Sequence, residues 1–188
     1  MKAAINRNLL LILAVLLSAC VSQGPGEEKL QAPDWETHLE KKLSEFGHRN
    51  WVLVVDKAFP MQNAEGVITI ETGEKLLDVL ARTLEEIDRS THVKAVVYHD
   101  AELKFIGTDQ VSHIESYRES LDELIGKYDP QVMLHDSVFV KIDQASKLFK
   151  VLVLKTEEVI PYSSVFIELD CRFWTPEQES VLREAMSL

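Results

Sequence analysis

The chain has 188 residues, with 20 Lys+Arg against 31 Asp+Glu, a formal net charge of −11 and an apolar share of 46%, enough for one sizeable core. So acidic a balance argues against nucleic acid, because phosphate binding needs clustered Lys and Arg. It equally argues against docking on anionic lipid by charge alone. Neutral sugars carry no such penalty.

Lys2 and Arg7 give the chain a positive start. Leu9 to Leu17 form an apolar run too short to span a bilayer comfortably. Leu17-Ser18-Ala19-Cys20 follows. This pattern resembles the lipobox of bacterial lipoproteins. The resemblance implies cleavage before Cys20 and a lipid on that cysteine, which would hold the protein to a membrane. Val21, where Asp would favour inner-membrane retention, implies the outer membrane, facing the periplasm. Residues 1–19 then read as a signal peptide. Residues 20–33, polar and carrying Gly24-Pro25-Gly26 and Pro33, read as a lipidated tether. Residues 34–188 read as one domain. Removing Lys2 and Arg7 with the leader leaves 18 Lys+Arg against 31 Asp+Glu, a net −13. With Cys20 lipidated, Cys171 has no partner in its chain and reads as a buried small apolar residue.

From Asp34 helix and strand signals alternate. Asp34 can cap a helix with Trp35, Leu39, Leu43 and Phe46 on one face, ended by Gly47. Trp51–Val55 is a continuous apolar run, the pattern of a strand buried on both faces. Residues 67–70 form a shorter strand. Thr72 is expected to cap a helix carrying Leu76, Leu77, Leu80, Leu84 and Ile87. Residues 93–98 form the next strand, Asp109 is expected to open a helix through Ile125, and residues 132–134 form a short strand. Residues 139–149 read as a helix, and 151–154 and 165–169 as the last strands. Thr175-Pro176-Glu177-Gln178 is a strong helix start, with Thr175 and Gln178 placed for a capping box. This order predicts an α/β fold, a mostly parallel sheet flanked by helices, with an added C-terminal helix.

In such sheets ligands gather beyond the carboxyl ends of the strands. Asp56 follows the first strand, His99 and Asp100 the third, and His135 and Asp136 the fourth. Each alone is an ordinary loop or cap residue. Together His99, Asp100, His135 and Asp136 have donors suited to Zn or Mn, but no metal-site spacing supports them, and no metal is expected. No glycine-rich phosphate loop or Gly-x-Ser-x-Gly occurs, so nucleotide and serine-hydrolase chemistry lack support.

Phe46-Gly47-His48, then Trp51–Asp56, then Phe59-Pro60 is similar to the opening of the D-ribose pyranase and L-fucose mutarotase family. Pro161-Tyr162-Ser163-Ser164 before the last strand resembles that family's Tyr-x-Asn segment. The resemblance runs from about Leu39 to about Phe173. It implies a cofactor-free monosaccharide site at a subunit contact in a ring-shaped homo-oligomer. The implied reaction interconverts anomers, or pyranose and furanose forms, so an isomerase activity is open. Carried over by position, His48 is the proton-transfer residue, Asp56 holds His48 or a sugar hydroxyl, and Tyr162 assists. Ser164, His135 and Asp100 are candidate substrate-binding residues. Ser164 replaces the family's Asn, and Val138 aligns where the family has His or Arg. These departures leave an alternative: an inactive sugar-binding or ring-forming assembly lipoprotein.

Overall fold

The structure is a computed structural model and describes residues 34–186. Cys20, the proposed leader and the tether lie outside the described residues.

Three layers follow from the apolar pattern. Helix α1 (Trp35–Glu45) buries Trp35, Leu39 and Leu43. Strand β1 (Trp51–Val55) is buried throughout. Strand β2 (Val67–Glu71) is only partly covered, as befits a sheet edge. Helix α2 (Leu76–Arg89) buries Leu76, Leu80 and Ile87 completely, and such side chains each contribute roughly 1.5–3 kcal/mol. Strand β3 (Val93–Asp100) leads through a 3₁₀ turn, Ala101–Phe105, to α3 (Ile114–Ile125). Strand β4 (Gln131–Met133), α4 (His135–Ser146), β5 (Val151–Lys155), β6 (Val165–Cys171) and α5 (Pro176–Ala185) complete the order.

The six strands lie in the order β2-β5-β1-β6-β3-β4. Five run parallel, and β6 runs against its neighbours β1 and β3. One face, with Val52, Val54 and Ile167, packs against residues of α1, α2 and α3. The other, with Trp51, Leu53 and Phe166, packs against Val138 and Ile142 of α4. Because β6 is reversed, its beginning sits beside the carboxyl ends of β1 and β3. Val54 pairs with Val165, and His99 with Val165 from the other side.

Several expected boundaries move. Helix α2 is capped by Lys75. Thr72 instead donates to the Lys155 carbonyl at 3.1 Å and accepts from the Glu74 amide, so it ties a turn to β5. Helix α3 begins at Ile114, five residues after Asp109, because Gln110 accepts the Gly107 amide and holds this stretch in turns. Helix α4 begins at His135, four residues before the expected Phe139. Helix α1 ends without a left-handed glycine. Its cap, Phe46, is extended, and the left-handed residue is Arg49 at φ 72°. Asp34 stands at the start of α1, but its carboxylate takes the Thr37 hydroxyl rather than a backbone amide. Cys171 is partly exposed, not buried, since it ends β6 at the sheet's lower margin. The capping box of α5 forms as expected between Thr175 and Gln178. No helix among the described residues is long and apolar enough to cross a membrane.

Candidate functional site

Four adjacent strands supply one rim. At the end of β1, Asp56 is fixed twice over. Its Oδ1 accepts the Ala58 amide at 2.8 Å, and its Oδ2 accepts the Ser164 hydroxyl at 2.8 Å. The Asp56 amide in turn donates to Ser164 Oγ at 3.1 Å. Ser164 is buried just ahead of β6. Thus Ser164, expected as a ligand contact, serves to orient the carboxylate.

At the end of β3, Asp100 is fully buried. Its Oδ2 lies 2.7 Å from His135 Nδ1, and its Oδ1 has no hydrogen-bond partner. Burial pushes the Asp100 carboxyl up to about 6. His135 lowers it in part, and the nearby Glu102 and Asp56 carboxylates raise it further. His135 is the first residue of α4, and its amide donates to both carboxylate oxygens of Glu102 at 3.1 Å. A carboxylate at a helix N-terminus satisfies an otherwise orphaned amide and favours the dipole. Glu102 therefore fixes the backbone, and Asp100 the imidazole, of the same residue.

Aromatic rings surround that imidazole. Tyr162 meets it edge-on with centroids 5.3 Å apart, and Phe139 lies at 4.8 Å. Phe139 stacks in turn on Phe59. Tyr162 is 37% exposed and holds φ 59°, a left-handed conformation that costs a non-glycine residue about 1–2 kcal/mol. Such strain concentrates where a side chain must be aimed. Two lysines at this end are engaged elsewhere: Lys57 pairs with Glu157 at 2.5 Å, and Lys155 donates to the Phe59 carbonyl at 2.9 Å.

Asp56, Asp100, His135, Tyr162 and Ser164 are thus brought to one rim. His48 is not. It is exposed in the turn before β1, and Asp56 follows β1. At ~3.3 Å per residue the five residues of β1 alone separate them by roughly 17 Å. Within one copy His48 faces the opposite end of the sheet. Val138 also stands outside the rim. It is fully buried on the inner face of α4 with Leu53, Tyr98 and Phe166. The ionisable group that this helix start brings to the rim is His135, three residues earlier. Sequence reasoning missed Glu102 and Phe139. An acidic residue ahead of a helix start could have flagged Glu102, but its partner is 33 residues away. His99 turns to the other face and is half-buried, so burial lowers its titration. Asp136 is exposed. No group of three or more metal-ligating side chains occurs among the described residues.

This six-stranded sheet with one reversed strand is the fold of solved ribose pyranase and fucose mutarotase structures. RbsD of Bacillus subtilis, in complex with D-ribose, is 23% identical, with 70% of this chain and 90% of that one covered, at a TM-score of 0.50. The fucose mutarotase of Streptococcus pneumoniae, in complex with L-fucose, is 15% identical, with 74% and 96% covered, at a TM-score of 0.50. No family model matches the chain, and no curated protein sequence does.

Proposed function

We propose that this protein binds a neutral monosaccharide at the rim formed by Asp56, His135 and Tyr162, with Asp100 buried behind His135, and interconverts its anomers or ring forms. The convergence of two fixed carboxylates, one imidazole and an aromatic wall carries this reading. Ionised carboxylates accept hydrogen bonds from sugar hydroxyls, aromatic faces pack on sugar C–H surfaces, and the engaged lysines offer no charge to an anionic sugar. Ring opening removes the proton from the anomeric hydroxyl and breaks C1–O5. The C1–O5 electron pair goes to the ring oxygen, which takes a proton from an acid. Closure on the other face of the carbonyl returns both protons. An imidazole suits the first transfer near neutral pH, and the Tyr162 hydroxyl would supply the proton for the second. His48 takes part only if a second copy brings it, which gives the expected homo-oligomer a specific task.

The leader supports a further part of the reading. Lipid on Cys20 would hold the domain to the outer membrane on its periplasmic side. Cys20→Ser is then expected to release the protein from membrane fractions, and an unchanged distribution would refute the anchor. A second reading is favoured by one observation, the absence of His48 from the rim within one copy: sugar binding without turnover. Saturation-transfer NMR with ribose, fucose, galactose and glucose separates the two. Protein-dependent exchange between anomers, lost in His135→Ala, supports the isomerase. Line broadening of one sugar without exchange leaves the binding protein. No effect on any sugar refutes both.

A further inference from the structure

We propose that Asp100 is a positioning residue that acts through His135, holding the imidazole with its proton on Nδ1 so that Nε2 is a free base toward the ligand. The inference rests on the sugar-site reading for its consequence, but its geometry stands apart from it. An ionised carboxylate can only accept, so the 2.7 Å contact obliges Nδ1 to donate. Nothing in the protein hydrogen-bonds Nε2 among the described residues, and the ring is about one-third exposed while Asp100 is fully buried. An unconstrained histidine side chain in water favours the Nε2–H tautomer, so the fixed Nδ1–H state requires a partner.

The surroundings keep that partner in place. Asp100 ends β3, a strand hydrogen-bonded on both sides by β6 and β4. His135 begins α4, whose first amide is held by Glu102 on the 3₁₀ turn directly after β3. Strand end and helix start are therefore linked twice, once through each side chain of the Asp100–Glu102 pair. The charged groups facing Asp100 are His135, Glu102 and Asp56. Of these only His135 can donate to it. Tyr162 and Phe139 close two sides of the ring and resist its rotation. A second-layer carboxylate that sets a tautomer is a recognised way to make histidine a directed base.

The test reads the tautomer directly. The full chain, labelled with ¹⁵N, is studied by long-range ¹H–¹⁵N correlation of imidazole rings, with His135→Ala assigning the signals. The wild type is expected to carry the His135 proton on Nδ1. Asp100→Ala, and the isosteric Asp100→Asn, are expected to shift it toward Nε2. If Asp100→Ala does not fold, Asp100→Asn alone decides. A wild-type ring protonated on Nε2 at neutral pH, or variants that keep the wild-type pattern, overturns the proposal. In the exchange assay both variants are expected to lower kcat by about a hundredfold, the lower end of a positioned acid–base group, with KM little changed. A loss confined to KM would make Asp100 a binding residue and overturn its positioning role. If the wild type exchanges no sugar at all, the isomerase reading fails while the tautomer result still decides this one.

Discussion

The buried carboxyl of Asp100 gives the folded state a pH dependence that can be measured without knowing any ligand. Its titration is pushed from 3.8 to about 6, with burial as the main cause. The native state therefore holds this proton more tightly than the unfolded chain does. The associated stability is fully present below pH 3.8 and is lost as pH rises through about 6. Moving the titration from 3.8 to about 6 corresponds to roughly 3 kcal/mol. That figure is an upper one, because His135 shares the contact. Asp100→Asn keeps the shape and removes the titration. Urea unfolding of both proteins from pH 4 to pH 8 isolates the effect, because other carboxylates titrate alike in the two. The stability difference should move in favour of the variant by up to about 3 kcal/mol between pH 4 and pH 7. Parallel stability curves would refute the reasoning and mean that Asp100 is ionised at no net cost.

Other expectations concern residues whose roles the fold separates. Val138→Ala should destabilise by about 2 kcal/mol through lost burial and a cavity, with unchanged sugar affinity; a lost ligand response without lost stability would put Val138 in the site. Tyr162→Gly should leave stability within about 1 kcal/mol, because relief of the left-handed conformation offsets lost ring packing, while ligand binding disappears. A fall of several kcal/mol in its thermal unfolding would make the ring structural instead. Where His48→Ala and His135→Ala are each inactive, mixing them should restore part of the exchange if one copy lends His48 to another. No recovery after subunit exchange would exclude that arrangement.

The strands were legible wherever burial on both faces leaves an uninterrupted apolar run, as at Trp51–Val55 and Val151–Leu154. Helix α5 was legible because its capping box is local, three residues from donor to acceptor. Local signals failed where a distant contact decides. Thr72 looked like a helix cap but answers to Lys155, 83 residues on. His135 looked like a loop residue because Glu102, its amide's acceptor, lies far off in sequence. The rim itself was half legible. Polar residues directly after apolar runs marked Asp56, Asp100 and His135. That Ser164 would lock Asp56 depended on the direction of β6, which an apolar run does not encode.

That reversed strand also governs the order in which the molecule can become itself. Without β6 the sheet is two separate pieces, β2-β5-β1 and β3-β4, with no direct pairing between them. Asp56 belongs to one piece, Asp100 and His135 to the other, and Tyr162 and Ser164 to the segment that joins them. A chain shortened before Val165 would leave β1 and β3 with open edges, which invite pairing with other chains. Joining them closes contacts between residues far apart in sequence, the slow kind of step in folding. The rim therefore exists only once β6 has joined the two pieces, and a bound sugar would report that junction.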